Sequence, residues 1–218
     1  MLGCGNPASH RGHGRKCVHR GSGGSSGFHS NFVFVPAYRD DAAPLRSWTW
    51  ISAAVSSTWA TGGGNPNNAA NYALIEFADQ RSATGNLIAL GAITGWLGWE
   101  TQGLDDNHTS KLGYACNLDN CEKMQNITSG GAVNIMVPNL ALYGSDAREG
   151  SEGSAWVQNF QVPQLGRGTG SNPESNRLVG VTASYLPYPG QRQLASILDS
   201  RWVDVYNTAC ARRTGNCL

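Results

Sequence analysis

Apolar segments in this chain are short, and clusters of glycine, proline and asparagine cut them off at regular spacing. That punctuation excludes a helical bundle, whose apolar stripes run unbroken for several turns. The 28 glycines and the lack of long Glu/Lys-rich stretches point the same way. Asn31-Phe-Val-Phe-Val-Pro-Ala37 predicts a strand that ends at Pro36, where the backbone N–H is lost. Trp48 to Val55 and Tyr72 to Ala78 predict two more, on either side of the loop Gly62-Gly-Gly-Asn-Pro-Asn-Asn68. Leu87 to Leu97 predicts a strand, a bend and a second strand. Lys111 to Cys116 and Lys123 to Ile127 flank a short cysteine loop, and Ala132 to Val137, Ala155 to Val162 and Leu178 to Tyr185 complete the series. Such a series predicts an all-β barrel or sandwich. Only the last segment differs: Leu194, Ile197, Leu198 and Val205 fall at helical spacing and predict an amphipathic helix over Gln193 to Asn207.

The 218 residues suit one large domain or two small lobes. Residues Met1 to Ser30 are rich in Gly, Ser, His and Arg and read as a loose arm. The charged fraction is 14% and the net charge +1, so the chain carries no electrostatic footprint for nucleic acid. No apolar run reaches the about 18 residues a spanning helix needs. The best candidate, Asn86 to Trp99, is broken by Gly91, Thr94, Gly95 and Gly98. Met1-Leu-Gly-Cys4 lacks the charged and apolar regions of a lipoprotein signal.

The cysteines fall into close pairs, Cys4/Cys17, Cys116/Cys121 and Cys210/Cys217. Local pairing is the simplest connectivity and implies an oxidising compartment, so the expected location is secreted, periplasmic or on the cell surface. Cys4, His10, His13, Cys17 and His19 do not follow zinc-site spacing, and no metal or other cofactor is expected. His19 reads as an exposed loop histidine. Asn107-His-Thr and Asn126-Ile-Thr are glycosylation sequons. Trp48, Trp50, Trp59, Trp96, Trp99, Trp156 and Trp202 read as core and lobe-interface residues rather than a carbohydrate platform.

Several blocks, in order across residues 17–202, carry a more specific signal. They are Ser30-Asn-Phe-Val-Phe-Val-Pro-Ala-Tyr-Arg-Asp40, Gly95-Trp-Leu-Gly-Trp99, Lys111-Leu-Gly-Tyr-Ala-Cys-Asn-Leu-Asp-Asn-Cys-Glu-Lys-Met124, Tyr143-Gly-Ser-Asp146, Ala155-Trp-Val-Gln-Asn-Phe160 and Ser196-Ile-Leu-Asp-Ser-Arg201. In these the chain resembles secreted bacterial trypsin-like peptidases of the glutamyl-endopeptidase kind, which are serine proteases of the chymotrypsin fold. The resemblance implies two antiparallel β-barrels closed by a C-terminal helix, with the site in the cleft between lobes. It also implies a lobe boundary near residues 82–95, giving an N-terminal lobe over 31–90 and a C-terminal lobe over 91–218. Relatives carry further strands ahead of the catalytic histidine, so the first barrel is expected to be incomplete and its edges open.

The same resemblance assigns the site. The family's histidine precedes a cysteine, and the matching stretch His13-Gly-Arg-Lys16-Cys17 puts Lys16 in its place. The family's aspartate opens an Asp-Tyr-Ala-Leu strand, and Asn71-Tyr-Ala-Leu74 puts Asn71 there. The nucleophile lies in Gly-x-Ser-Gly-Gly-Pro, and Gly150-Ser-Glu152-Gly-Ser-Ala155 puts Glu152 there. Gly150 and the Glu152 N–H are the implied oxyanion-hole remnant. Asp146, six residues before Glu152, is a candidate floor for the specificity pocket.

A carboxylate cannot do the work of an activated serine hydroxyl, and asparagine cannot stabilise a cationic base as aspartate does. The expected function is therefore an inactive serine-endopeptidase homologue that binds a peptide or protein through the remnant cleft. Lys16 and Glu152 are expected to form an ion pair there. Two alternatives stand beside it: an active hydrolase with a non-standard site, for instance a Ser151–Lys16 dyad or Ser154, and a structural protein using only the scaffold. Arg212-Arg-Thr-Gly215 reads as a solvated tail or as a tie enclosed by Cys210 and Cys217.

Overall fold

The computed structural model describes residues 17–101, 104, 108–130, 139–161, 176–186 and 191–217. Its first half holds β1 (Val33–Phe34), β2 (Trp48–Val55), α1 (Ser57–Ala60), β3 (Ala73–Phe77), β4 (Gln80–Arg81), β5 (Leu87–Ile88) and α2 (Leu90–Thr94). The second holds β6 (Gly98–Trp99), β7 (Thr109–Gly113), α3 (Cys116–Asp119), β8 (Gln125–Ser129), β9 (Leu140–Gly144), β10 (Ala155–Gln158), β11 (Arg177–Leu186), β12 (Arg192–Ile197) and α4 (Ser200–Cys210). The fold is thus mostly β, with a C-terminal helix.

The two halves are built very differently. β7 to β12 form an antiparallel sheet in the order β8-β7-β10-β11-β12-β9, with β6 added parallel to β11. All four residues of Ala155-Trp-Val-Gln158 are buried, because β10 is covered on both faces. Trp156 fills the centre with Leu104, Ala141, Tyr143, Val179 and Ala195. Its ring stacks on Tyr143 at 5.4 Å, and its indole N–H donates to Thr182 Oγ1 at 2.9 Å. Burying so large a ring needs that polar partner.

The first half pairs β1, β2 and β3 into a three-stranded antiparallel sheet. No residue of β3 is fully buried, and Val33 and Ile51 are exposed. This sheet gains its shelter from the second half. Ala70 and Tyr72 pack with Leu198 and Trp202, and Leu74, Trp99, Leu178 and Val181 close around them. Tyr72 meets Trp202 edge to face at 5.5 Å and donates to Asp199 Oδ1 at 3.0 Å. Asp199 also accepts from Arg201 N at 3.0 Å as the N-cap of α4. Burial, then the Asp199 charge and hydrogen bond, drive the Tyr72 hydroxyl far above the ordinary tyrosine range.

The C-terminal segment is a tie. The Cys210–Cys217 disulfide closes it, Arg212 Nη2 donates to Ala53 O at 3.0 Å, and Arg213 bonds Glu76 at 3.1 Å and Asp79 at 2.9 Å. The Glu76 side chain is 7% exposed and also accepts from Ser52 Oγ.

Several expectations need correction. Residues Arg192–Ile197 form strand β12, not the start of a helix, and α4 begins only at Ser200. β12 is bonded to β11 on one side and β9 on the other and is buried on both faces, and its mix of buried polar and apolar residues, Gln193 and Ser196 among them, carries no period to separate strand from helix. Between β5 and β6 lies the short helix α2 rather than a bend, ended by Gly95 at φ 66°. The first strand spans only Val33–Phe34, since the chain turns off at Pro36 and Ala37 has φ 55°. Within the expected loose arm, residues 17–30 are packed: His19 bridges Phe28, Val18 is buried, and the His19 carbonyl accepts from the Trp59 indole at 2.9 Å. His19 is 1% exposed, not a surface histidine. Trp96 is exposed rather than core. The Ala132 to Val137 strand, the Asn107 sequon, His10, His13, Cys4 and Lys16 lie outside the described residues. Cys17 is disulfide-bonded. No helix among the described residues is long and apolar enough to cross a membrane.

Arg213→Ala leaves the sheltered Glu76 carboxylate short of its cation. Urea denaturation should show a loss of about 1–3 kcal/mol, whereas Arg46→Ala, an exposed change, should show almost none.

Candidate functional site

The segment between β9 and β10 is a chain of tight turns that its own serines close. Ser151 N donates to Arg148 O at 3.1 Å, and Ser154 N to Ser151 O at 3.0 Å. Ser151 Oγ donates to Arg148 O at 2.5 Å, and Ser154 Oγ donates to Ser151 O. Both serines point inward and are 1% and 3% exposed. Gly150 and Gly153 supply the left-handed turns, with φ 85° and 81°. At Gly150 a Cβ would stand 2.6 Å from Cys116 Sγ and from Tyr114 O, so only glycine lets the loop lie on the Cys116–Cys121 disulfide.

Strand β11 accepts hydrogen bonds from two of the sequence-predicted segments. Gly153 N donates to Thr182 O at 2.9 Å, which fixes the turn carrying Glu152. One residue on, Ala183 O accepts from Asn71 Nδ2 at 3.5 Å. Asn71 is itself held by its N–H on Ser196 Oγ at 3.1 Å, and the same hydroxyl donates to Asn68 O. Two residues further, Tyr185 OH donates to Glu149 Oε1 at 2.8 Å. That hydrogen bond, burial and the Glu149 and Glu152 charges together raise the Tyr185 pKa. Asn71 and the Glu152 turn therefore bond to consecutive carbonyls of one strand. Lys16, the expected ion-pair partner of Glu152, lies outside the described residues. The Asp146 side chain is exposed, while its neighbours Ser145 and Ala147 are buried.

Behind the loop sits a polar set that the motifs do not announce. Gln193 Oε1 accepts from Ser145 Oγ at 2.8 Å, and Gln193 Nε2 donates to Ser151 Oγ at 2.8 Å. Lys111, 3% exposed, donates to Ser129 Oγ and Gly144 O, both at 2.6 Å. Its ammonium lies over the Trp156 and Tyr143 rings at 5.1 and 5.7 Å. Burial lowers its pKa to about 8. Nothing in Thr109-Ser-Lys-Leu-Gly113 marks which face Lys111 takes, because the run shows no clean alternation. No group of three or more potential metal ligands forms among the described residues.

Lys111 provides a signed pH test. Its folded pKa lies below the unfolded value of 10.5, so the charged form opposes folding. The penalty is full below about pH 8 and fades as the pH rises toward 10.5. The stability of Lys111→Met relative to the natural chain should therefore be greatest near pH 7 and fall toward pH 10, by about 1–3 kcal/mol across that window in denaturation curves.

No protein-family model matches the sequence, and no curated protein matches it. Solved structures do. Protease Anisep from Arthrobacter nicotinovorans aligns at TM-score 0.68 and 20% identity, over 89% of this chain and 80% of that one. A thermostable serine protease, AL20, from an extremophilic microorganism aligns at 0.69 and 19%, over 90% and 82%. A Glu endopeptidase solved in complex with MPD aligns at 0.61 and 17%, over 89% and 83%. Set beside the sheet order and the C-terminal helix, these likenesses establish that the chain has the chymotrypsin-type serine protease fold.

Proposed function

We propose that this chain is a catalytically inactive homologue of a secreted serine endopeptidase that binds an extended peptide or protein segment in its remnant inter-lobe cleft. The observation that carries this reading is that both candidate segments bond to β11 beside an edge of that strand. The Glu152 turn and Asn71 attach at Thr182 and Ala183. Beyond them, at Ser184 to Leu186, β12 is the only strand paired with β11 among the described residues. A strand edge next to a cleft accepts an extended backbone by adding hydrogen bonds.

The chemistry for cutting is lacking at the equivalent positions. Glu152 replaces the hydroxyl and places a carboxylate where an oxyanion would need donors. Asn71 shares its amide between Pro66 O and Ala183 O, both at 3.5 Å, and has no charge to hold an imidazolium. Ser151 and Ser154 spend their hydroxyls inside the turn, so neither supports a substitute nucleophile. Lys16 in the histidine position completes the substitution. The Cys116–Cys121 and Cys210–Cys217 disulfides support a location outside the cytosol. The two lobes would divide between β5 and β6.

A fluorescein-labelled random decapeptide pool tests the reading. Fluorescence anisotropy should rise with added protein while mass spectrometry finds no new peptide termini. Tyr185→Ala should weaken the binding by roughly tenfold, or about 1.4 kcal/mol. New termini produced by the natural chain would sink the inactive reading, and a flat anisotropy curve would leave only a scaffold role.

A further inference from the structure

We propose that the Cys116–Cys121 disulfide is a redox-operated catch that holds the floor of the cleft in shape and releases it on reduction. The inference rests on the peptide-binding reading of that cleft. Its grounds are contacts that run from this small loop to both sides.

On one side the loop carries the site segment. Cys116 N donates to Glu149 O at 2.7 Å. Asn117 clasps the same segment with both ends of its amide, donating to Asp146 O at 2.9 Å and accepting from Arg148 N at 2.8 Å. Gly150 rests against both sulfurs; a Cβ there would lie 2.6 Å from Cys116 Sγ and 3.0 Å from Cys121 Sγ. On the other side the loop holds the first half of the chain. Tyr114 OH donates to Tyr38 O at 2.8 Å, and Tyr38 OH donates to Glu122 Oε2 at 2.9 Å. Asp40 N donates to Glu122 O at 3.1 Å.

Opening is favoured once the covalent closure goes. Asn120 and Cys121 both sit in the left-handed region, at φ 60° and 68°. For a residue with a Cβ this costs roughly 1–2 kcal/mol, less for asparagine. The disulfide holds Cys121 there against that cost. Both cysteines are half-buried, so a small dithiol can reach them. One reductant thiolate attacks one sulfur and forms a mixed disulfide. Its second thiol then displaces the cysteine, leaving two Cys thiols and an oxidised reductant. With Cys116 free, its N–H bond to Glu149 O and the seat for Gly150 lose their anchor.

Hydrogen exchange by mass spectrometry tests the catch on the full chain, comparing the oxidised form, the dithiol-reduced form, the reoxidised form and the Cys116→Ser/Cys121→Ser variant. Cys210→Ser/Cys217→Ser is the control. The expected result is at least about tenfold faster exchange over residues 146–154 in the reduced form and the Cys116→Ser/Cys121→Ser variant. β9 to β12 should stay protected, slow exchange should return on reoxidation, and the control should be unaffected over 146–154. Unchanged exchange over 146–154 overturns the catch, and so does loss of protection throughout β9 to β12. Asn117→Ala in the oxidised chain should speed exchange at Arg148 without touching the disulfide. Binding of the fluorescein-labelled decapeptide pool is read on the same samples. Binding that survives reduction undiminished overturns the catch; if no state binds, the peptide reading fails while the exchange result still decides the catch.

Discussion

Tyr72 and Trp202, packed edge to face over the Asp199 carboxylate, are the contact on which the rest of the molecule depends. The three-stranded sheet of the first half has no fully buried residue in β3, and among the described residues the buried apolar clusters lie in the second half or at the junction. So small a sheet gains much of its shelter from packing against further elements. It borrows its core from α4 and from Leu198. Burial works against ionisation of Asp199, but its bonds from Arg201 and Tyr72 prevail and hold the carboxyl below its usual range. The Arg213 tie to Glu76 and Asp79 fixes the far edge of the same sheet. Asn71 directly precedes Tyr72, so the junction that holds the halves together also sets one wall of the candidate site.

The other wall is built from the second half by a different device. Serine hydroxyls, two left-handed glycines and a short disulfide loop shape residues 145–154, with Ala147 as their one buried apolar side chain. Gln193 joins Ser145 to Ser151 from beneath, so the loop is stitched at both ends to β12. The side chain that then faces Tyr185 is a glutamate, placed beside Glu149. The protease fold is thus present, and on the reading proposed above the groups that would move protons in it are replaced. A binding cleft needs the first and not the second.

What could be read in the sequence follows from how local the signal is. Most strands announced themselves, because Gly and Pro limit them at both ends. The two described disulfides pair neighbours in sequence, as a short loop requires. β12 could not be told from a helix, since a strand buried on both faces loses its alternation. Lys111 was illegible for a related reason: it is buried through a long-range partner, Gly144, that no local pattern displays, while the His19 ring is enclosed by a tight turn of Gly21, Gly24 and Phe28 in a segment too rich in glycine to show one. The site positions came from the ordered run of family-like blocks and not from any spacing. What the sequence could not convey was that the cysteine loop at 116–121 touches both Tyr38 and Gly150.

The most direct measurement of the central claim is fluorophosphonate labelling of the purified chain beside a Lys16→His, Asn71→Asp, Glu152→Ser variant. An unlabelled natural chain and a labelled variant are predicted, because the proposal holds that the variant restores the reacting groups to a protease fold that lacks them. A labelled natural chain would contradict the account, since it would mean that a serine in this molecule is activated by groups assigned here to structure.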